Sequence, residues 1–323
     1  MEFYKHSGRF GAMAIPMVAA VGLIAALVGG VLYSYLTAWC PIIYVNVLGT
    51  LGFGFGLGFC GGHAAKLGKV RSFVLAALAG FLIGAAGLYV AWGTDFLARV
   101  GGDKGVWMVF RPLALYQWVA YCYENGIWSI GSSSSGGNVT GIPLAIVWLI
   151  EAGIVLGVST MTAATIVDEP FCELCDRWIE KNEDVRRWCL GDNQQQTIER
   201  LVEQGDLTAL DELFNGEGDE PNFFRLDTHH CAVCEESCFL SFKLVFWELN
   251  SEGEPEQKIA DLLERMSCTV DDLRAACLAG RDPTEEERKA LRPWDPELNP
   301  EKAAEAEAGA ESESGAGPDK GEA

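Results

Sequence analysis

Two Cys-x-x-Cys pairs, Cys172/Cys175 and Cys231/Cys234, are the residues whose type and spacing most directly specify chemistry. Such a turn aims two thiolates at one tetrahedral ion, and two turns complete a closed four-sulfur site that contributes folding energy. Redox pairs usually open a helix in a strand-helix-strand setting, whereas a long apolar run precedes Cys172, so thiol–disulfide exchange is the weaker alternative. Two unrelated pairs without metal are a further alternative. His229 and His230 adjoin the second pair and could serve an open catalytic metal, but four thiolates close the site. Cys189 and Cys238 could substitute as ligands, while Cys268 and Cys277 read as helix-packing residues.

A second chemical candidate is Glu151, which lies about nine residues into the last apolar run, about 13 Å along a helix. Its helical neighbours Val147, Trp148, Ile154 and Val155 are apolar. A carboxyl group at that depth is costly and marks a proton, cation or counter-charge site by default. The structural alternative is a hydrogen-bonded Glu that joins helices through Asn46 or a hydroxyl of another span. His63, at the inner end of the second apolar run, reads as an interfacial residue.

These groups belong to two unlike regions. Up to residue 167 the chain has eight Lys and Arg against five Asp and Glu; beyond it, sixteen against forty, which together give the formal net charge of -21. The front is suited to lipid and the back to water. So acidic a back half, without a basic patch, argues against a nucleic-acid partner.

Four runs are long and apolar enough to span a hydrocarbon core, which needs about 20 residues: Gly11–Trp39, Pro41–Gly62, Ser72–Trp92 and Gly141–Val167. The first is too long for a signal peptide and lacks a small-x-small cleavage site, and Trp39 before Cys40 argues against a lipoprotein. Lys5 and Arg9, and then Lys66, Lys69 and Arg71, flank the inner ends, so the sequence predicts both termini in the cytoplasm of a multi-pass protein of a bacterial plasma membrane. Arg177, Lys181, Arg186 and Arg187 after the fourth span agree. Between spans three and four, Val106–Tyr123 carries Arg111 alone as a charge, and Pro112 shortens its helix. It reads as an interfacial or re-entrant helix within an external aromatic loop over 93–140, with Trp107, Tyr116, Trp118, Tyr121 and Trp128 at headgroup depth. Residues 132–137 read as a flexible loop, and Asn138-Val139-Thr140 matches a glycosylation sequon, a short pattern that is common by chance.

Span two is rich in glycine. Gly52/Gly56, Gly54/Gly58 and Gly58/Gly62 each form a small-x-x-x-small pair suited to close helix packing, with Gly80/Gly84 of span three as the expected partner. A path lined by bare backbone is the functional alternative.

Behind the membrane block, 168–281 reads as a small α+β domain. Residues Phe239–Leu249 alternate in the manner of a strand. Knuckle and strand together look like a zinc ribbon, lengthened by an insertion whose helices are expected over Gln194–Gln204 and Leu207–Phe214. Glu256–Met266 and Val270–Leu278 read as a second helical pair, with Thr269 and Asp272 as a capping box. From Asp282 to 323 the acidic tail is expected to be disordered, with Trp294 as a docking residue.

No nucleotide-binding glycine loop, Ser-His-Asp set or His-Glu-x-x-His pattern occurs, and four histidines allow few His-based centres, which disfavours an enzyme. The leading expectation is a membrane-anchored structural or regulatory protein whose cytoplasmic zinc-stabilised domain binds a protein partner. A small transporter or channel component built on Glu151, as a homo-oligomer, is the alternative, and a membrane thiol oxidoreductase is a weaker one.

Overall fold

The structure is a computed structural model that describes residues 2–40, 42–100, 111–126, 138–189, 200, 222–234 and 236–278. The chain divides into two compact units, His6–Glu169 and Met1–Lys5 with Pro170–Ala323. The expected insertion helices in 194–214, the loop 132–137, Trp107, Trp128 and the tail from 282 lie outside the described residues, Arg200 apart.

The first unit is helical: α1 Ala14–Trp39, α2 Ile43–Leu67, α3 Phe73–Val100, α4 Pro112–Asn125 and α5 Ile142–Ile166. Helices α1, α2, α3 and α5 are long and apolar enough to cross a membrane. Their outward side chains are those lipid would cover: Leu23, Leu32, Leu48 and Leu149 are all at least 60% exposed. Helix α4, with 14 residues, is about 21 Å long and too short to span. Its Trp118 indole donates to Asp95 near the end of α3, and Gly141 N–H, just before α5, donates to Tyr123 O of α4. These bonds fasten α4 to the C-terminal end of α3 and the start of α5, at one end of the bundle. At the other end, Gly8 N–H bonds to Arg71 O, Arg71 N–H to Arg9 O, Lys66 Nζ to Glu169 at 2.5 Å and His6 to Asp168 at 3.0 Å. The start of α1, the α2–α3 turn and the exit of α5 thus meet.

Glycine does bring these helices together, though not in the expected pairs. Gly54, Gly58 and Gly62 of α2 face Val155, Ser159 and Ala163 of α5, and a methyl group on Gly58 would stand 2.5 Å from Ser159 O. Gly80 and Gly84 of α3 also face fully buried Ser159, rather than the glycines of α2. The expected Gly80/Gly84 pairing with span two is therefore corrected: α5 lies against both glycine faces because Ser159 and Ala163 are small enough to admit them. Gly52 and Gly56 have nothing within 4 Å of an added methyl group, so among the described residues they pack against no other helix.

The second unit is a sheet domain: β1 Phe171–Cys172, β2 Arg177–Trp178, β3 Glu180–Cys189, β4 Phe223–His230, β5 Cys238–Leu249, β6 Pro255–Cys268 and α6 Val270–Leu278. Strands β3-β4-β5-β6 form one antiparallel sheet in chain order, and β1 pairs with β2. Alternation on β4 and β5 sends Phe224, Leu226, Leu240 and Phe242 to one face, where Trp188, Leu263 and Met266 meet Leu273, Ala276 and Cys277 of α6. The Thr269–Asp272 box is reciprocal: Thr269 N–H donates to Asp272 Oδ2 at 3.0 Å, and Asp272 N–H to Thr269 Oγ1 at 3.1 Å.

The expected helix over Glu256–Met266 is instead strand β6. Its Glu, Gln, Lys, Ala, Leu and Met favour helix weakly and individually, but the turn after β5 forces a return. Asn250 Oδ1 accepts from the N–H groups of Glu252 and Glu254, and Gly253 takes φ of +81°. Pairing from Leu249↔Pro255 to Cys238↔Cys268 then outweighs local propensity. Cys268 is accordingly a strand residue, while Cys277 packs from a helix. The far edge of β6 is not bare: Phe3 bridges Met266, Tyr4 N–H bonds to Arg265 O and Ser267 N–H to Glu2 O.

Candidate metal centre

Each cysteine pair sits in a tight turn. The first lies between β1 and β2, where Phe171↔Trp178 and Cys172↔Arg177 close a hairpin and Asp176 takes the left-handed φ of +51°. The N–H of Cys175 points back at Cys172 Sγ. The second is the β4–β5 connection: His230 pairs with Cys238, Cys231 N–H bonds to Ser237 O at 3.1 Å, and the N–H groups of Val233 and Cys234 point at Cys231 Sγ. In both turns, main-chain donors surround a sulfur, the arrangement that stabilises thiolate over thiol.

The two turns come together. The Sγ atoms of Cys172, Cys175, Cys231 and Cys234 all lie within 4.8 Å of one another, and Cys172 to Cys234 is 3.5 Å. Four sulfurs at about 2.3 Å from a tetrahedral ion would be about 3.8 Å apart, so the cluster is within small side-chain adjustments of a bound state. Cys172 and Cys231 are fully buried, and Cys175 and Cys234 half-buried. Ile179 and Phe239 pack around them. Tyr4 sets its ring edge-on to Phe239 at 5.2 Å, and its hydroxyl accepts from Phe171 N–H at 3.1 Å.

Burial disfavours the Cys172 thiolate, but the Ser237 hydroxyl at 3.3 Å and the N–H of Cys175 more than compensate, bringing the thiol down to about 7. Burial pushes Cys175 and Cys231 up.

The other metal or catalytic candidates are elsewhere. Neither histidine belongs to the metal-capable group. His229 is buried against Ser241, with Nε2 3.4 Å from Oγ, and burial with Arg265 and Lys181 nearby lowers its pKa to about 4. Cys238 belongs to the hydrophobic core, and the side chain of Cys189 lies outside the described ones. His63 is exposed and bonds to Phe59 O. Glu151 meets a hydroxyl of another helix, that of Tyr33, rather than Asn46.

Three contributors are absent from the sequence expectations: Tyr4, Ser237 and Ile179. Ser237 was legible, because a hydroxyl three residues after Cys234 falls inside the same turn. Tyr4 was not, since nothing local in Glu2–Lys5 signals a strand.

On the opposite face of the sheet from the core, Asp227 is fully buried with its carboxylate 2.8 Å from Arg225 Nε and its Oδ1 accepting from Asp184 N–H at 2.9 Å. Burial alone would raise its pKa; the Arg225 guanidinium, the Asp184 N–H and Lys181 hold it below the usual carboxylate range.

No protein-family model, curated protein or solved structure matches the chain. The reading of the centre therefore rests on its own geometry.

Proposed function

We propose that the four cysteines bind one structural zinc ion, and that the sheet unit is a cytoplasmic docking domain for a protein partner, tethered by four membrane spans. The observation that carries this reading is the convergence of all four sulfurs within 4.8 Å from turns far apart in the chain. Four thiolates leave no open position for substrate, and zinc prefers a closed tetrahedral sulfur set. Convergence also weighs against a dithiol redox catalyst, which needs one accessible pair and a free attacking sulfur. The zinc-ribbon reading draws on the place of each pair in a hairpin turn, while the sheet has strands that a compact ribbon lacks.

The cytoplasmic side is argued from charge. Arg9, Lys66, Lys69 and Arg71 all belong to the end of the bundle at which α5 exits, and Lys5 precedes them in sequence. A reducing compartment would keep the thiols available to metal. The partner reading rests on the acidic composition of the segment beyond residue 282 and on the closed, non-catalytic ligand set.

Chelation tests the proposal. With a strong zinc chelator, or with Cys172→Ser or Cys231→Ser, limited proteolysis of the full chain in detergent is expected to cut within 170–278 while the helical unit survives. A sheet unit equally resistant with and without chelator would reject the proposal.

A further inference from the structure

Inside the helical unit, three oxygen contacts run in an unbranched chain through three helices. Glu151 Oε1 of α5 is 2.5 Å from Tyr33 Oη of α1; Tyr33 Oη is 2.8 Å from Thr50 Oγ1 of α2; Thr50 Oγ1 is 2.9 Å from the main-chain oxygen of Asn46. Each contact needs one proton between its oxygens, and the carbonyl at the end brings none. If Glu151 is ionised, the chain holds two protons, on Tyr33 and Thr50, for three contacts. One link would then set two lone pairs against each other. If Glu151 carries a proton, three protons fill three links, all pointing one way: Glu151 to Tyr33, Tyr33 to Thr50, and Thr50 to Asn46 O.

The surroundings agree with the count. Tyr33 and Thr50 are buried, at 6% and 5% exposure, and Tyr33 stacks on Phe53 with ring centroids 4.5 Å apart. No cation lies within ion-pair distance of Glu151 among the described residues. From α1 the titratable group facing it is Tyr33, from α2 the chain offers the hydroxyl of Thr50, and on α3 Asp95 and Arg99 pair with each other. An ionised carboxylate in hydrocarbon with neither cation nor full hydrogen bonding is strongly disfavoured.

We infer that Glu151 is an intramembrane proton-binding site, occupied as the neutral carboxylic acid that donates to Tyr33. Its ligand is a single proton. Release of that proton leaves one of the three links unfilled: either an interhelical contact is lost, or Thr50 turns its proton to Tyr33 and its oxygen faces Asn46 O within α2 without a proton between them. This goes beyond a carboxyl group that merely glues helices, because only the protonated acid fills all three links at once.

Infrared spectroscopy of the full chain in lipid nanodiscs at neutral pH tests the assignment. At that pH exposed carboxyl groups are ionised, so a C=O band of a neutral acid is expected in the wild type, missing in Glu151→Gln and shifted in Tyr33→Phe. Loss of a carboxylate band rather than an acid band in Glu151→Gln would overturn it. Should the variant fail to fold, the wild type decides. Dicyclohexylcarbodiimide, which adds to neutral carboxyl groups in apolar surroundings, is expected to modify Glu151 and to spare Glu124 when peptides are mapped. An unmodified Glu151 would contradict the proposal.

Discussion

At the scale of single residues, the sheet unit depends on groups that are costly to bury unless paired. Cys172 and Cys231 have no exposed surface, and in their turns several N–H groups point at sulfur. Either one replaced by Ser is expected to remove zinc from the purified chain, read as metal per polypeptide. Asp227 is the corresponding charge outside the cluster. Replacing it by Asn leaves Arg225, with Lys181 and Lys243 nearby, without its buried counter-charge, an expected loss of about 3 kcal/mol in denaturant unfolding. Its pH signature follows from the direction of its shift. A carboxyl whose native pKa is lowered contributes its full stability above the unfolded value, about 3.9, and loses it as pH falls from there through the native value. Acid unfolding of Asp227→Asn should therefore lack the steepest part of the wild-type decline below about pH 4.

At the scale of elements, the helices are held by close approach and the sheet by long-range pairing. Gly58→Ala would push a methyl group to 2.5 Å from Ser159 O, a main-chain atom that cannot rotate away, and is expected to destabilise the helical unit by about 2 kcal/mol. Gly52→Ala meets nothing within 4 Å and should leave the melting temperature in detergent unchanged or raise it, since Ala favours helix over Gly by about 1 kcal/mol. Equal melting of the two variants would refute the assignment of α2 faces. Tyr4→Ala removes the ring against Phe239 and the hydroxyl on Phe171, and is expected to cost about 2 kcal/mol and to speed zinc loss to a chelator. What could be read beforehand divides along the same line. Apolar length announced α1, α2, α3 and α5, and strict alternation announced β5, because one element's own residues carry those signals. β3, written Glu-Lys-Asn-Glu-Asp-Val-Arg-Arg-Trp-Cys, has no such alternation, and its pairing with β4 shifts between Asn182 and Arg186. β6 reads as helix because its Ala, Leu, Glu and Met favour one, until its neighbour is known. In the candidate centre, the four sulfurs were visible as two spacings, whereas their convergence depends on the β4–β5 connection and the β1–β2 hairpin meeting in space.

At the scale of the whole molecule, the proposed function joins a lipid-facing unit to a water-facing one whose sheet takes in residues 2–4 beside the strands of 171–268. Residues 2–4 pair with β6, Gly8, Arg9 and Gly11 bond to the α2–α3 turn, and the chain passes between the units again after Glu169. Removal of residues 2–5 should thus expose the edge of β6 and make the sheet unit more protease-sensitive, although those residues are distant in sequence from every cysteine. Whether one zinc ion ties the two cysteine turns together is decided by metal analysis combined with alkylation of the purified full-length protein. One zinc per chain is expected, with Cys172, Cys175, Cys231 and Cys234 protected until a chelator is added, when all four become reactive together. A folded, protease-resistant sheet unit that carries no metal and whose four thiols react freely would contradict it.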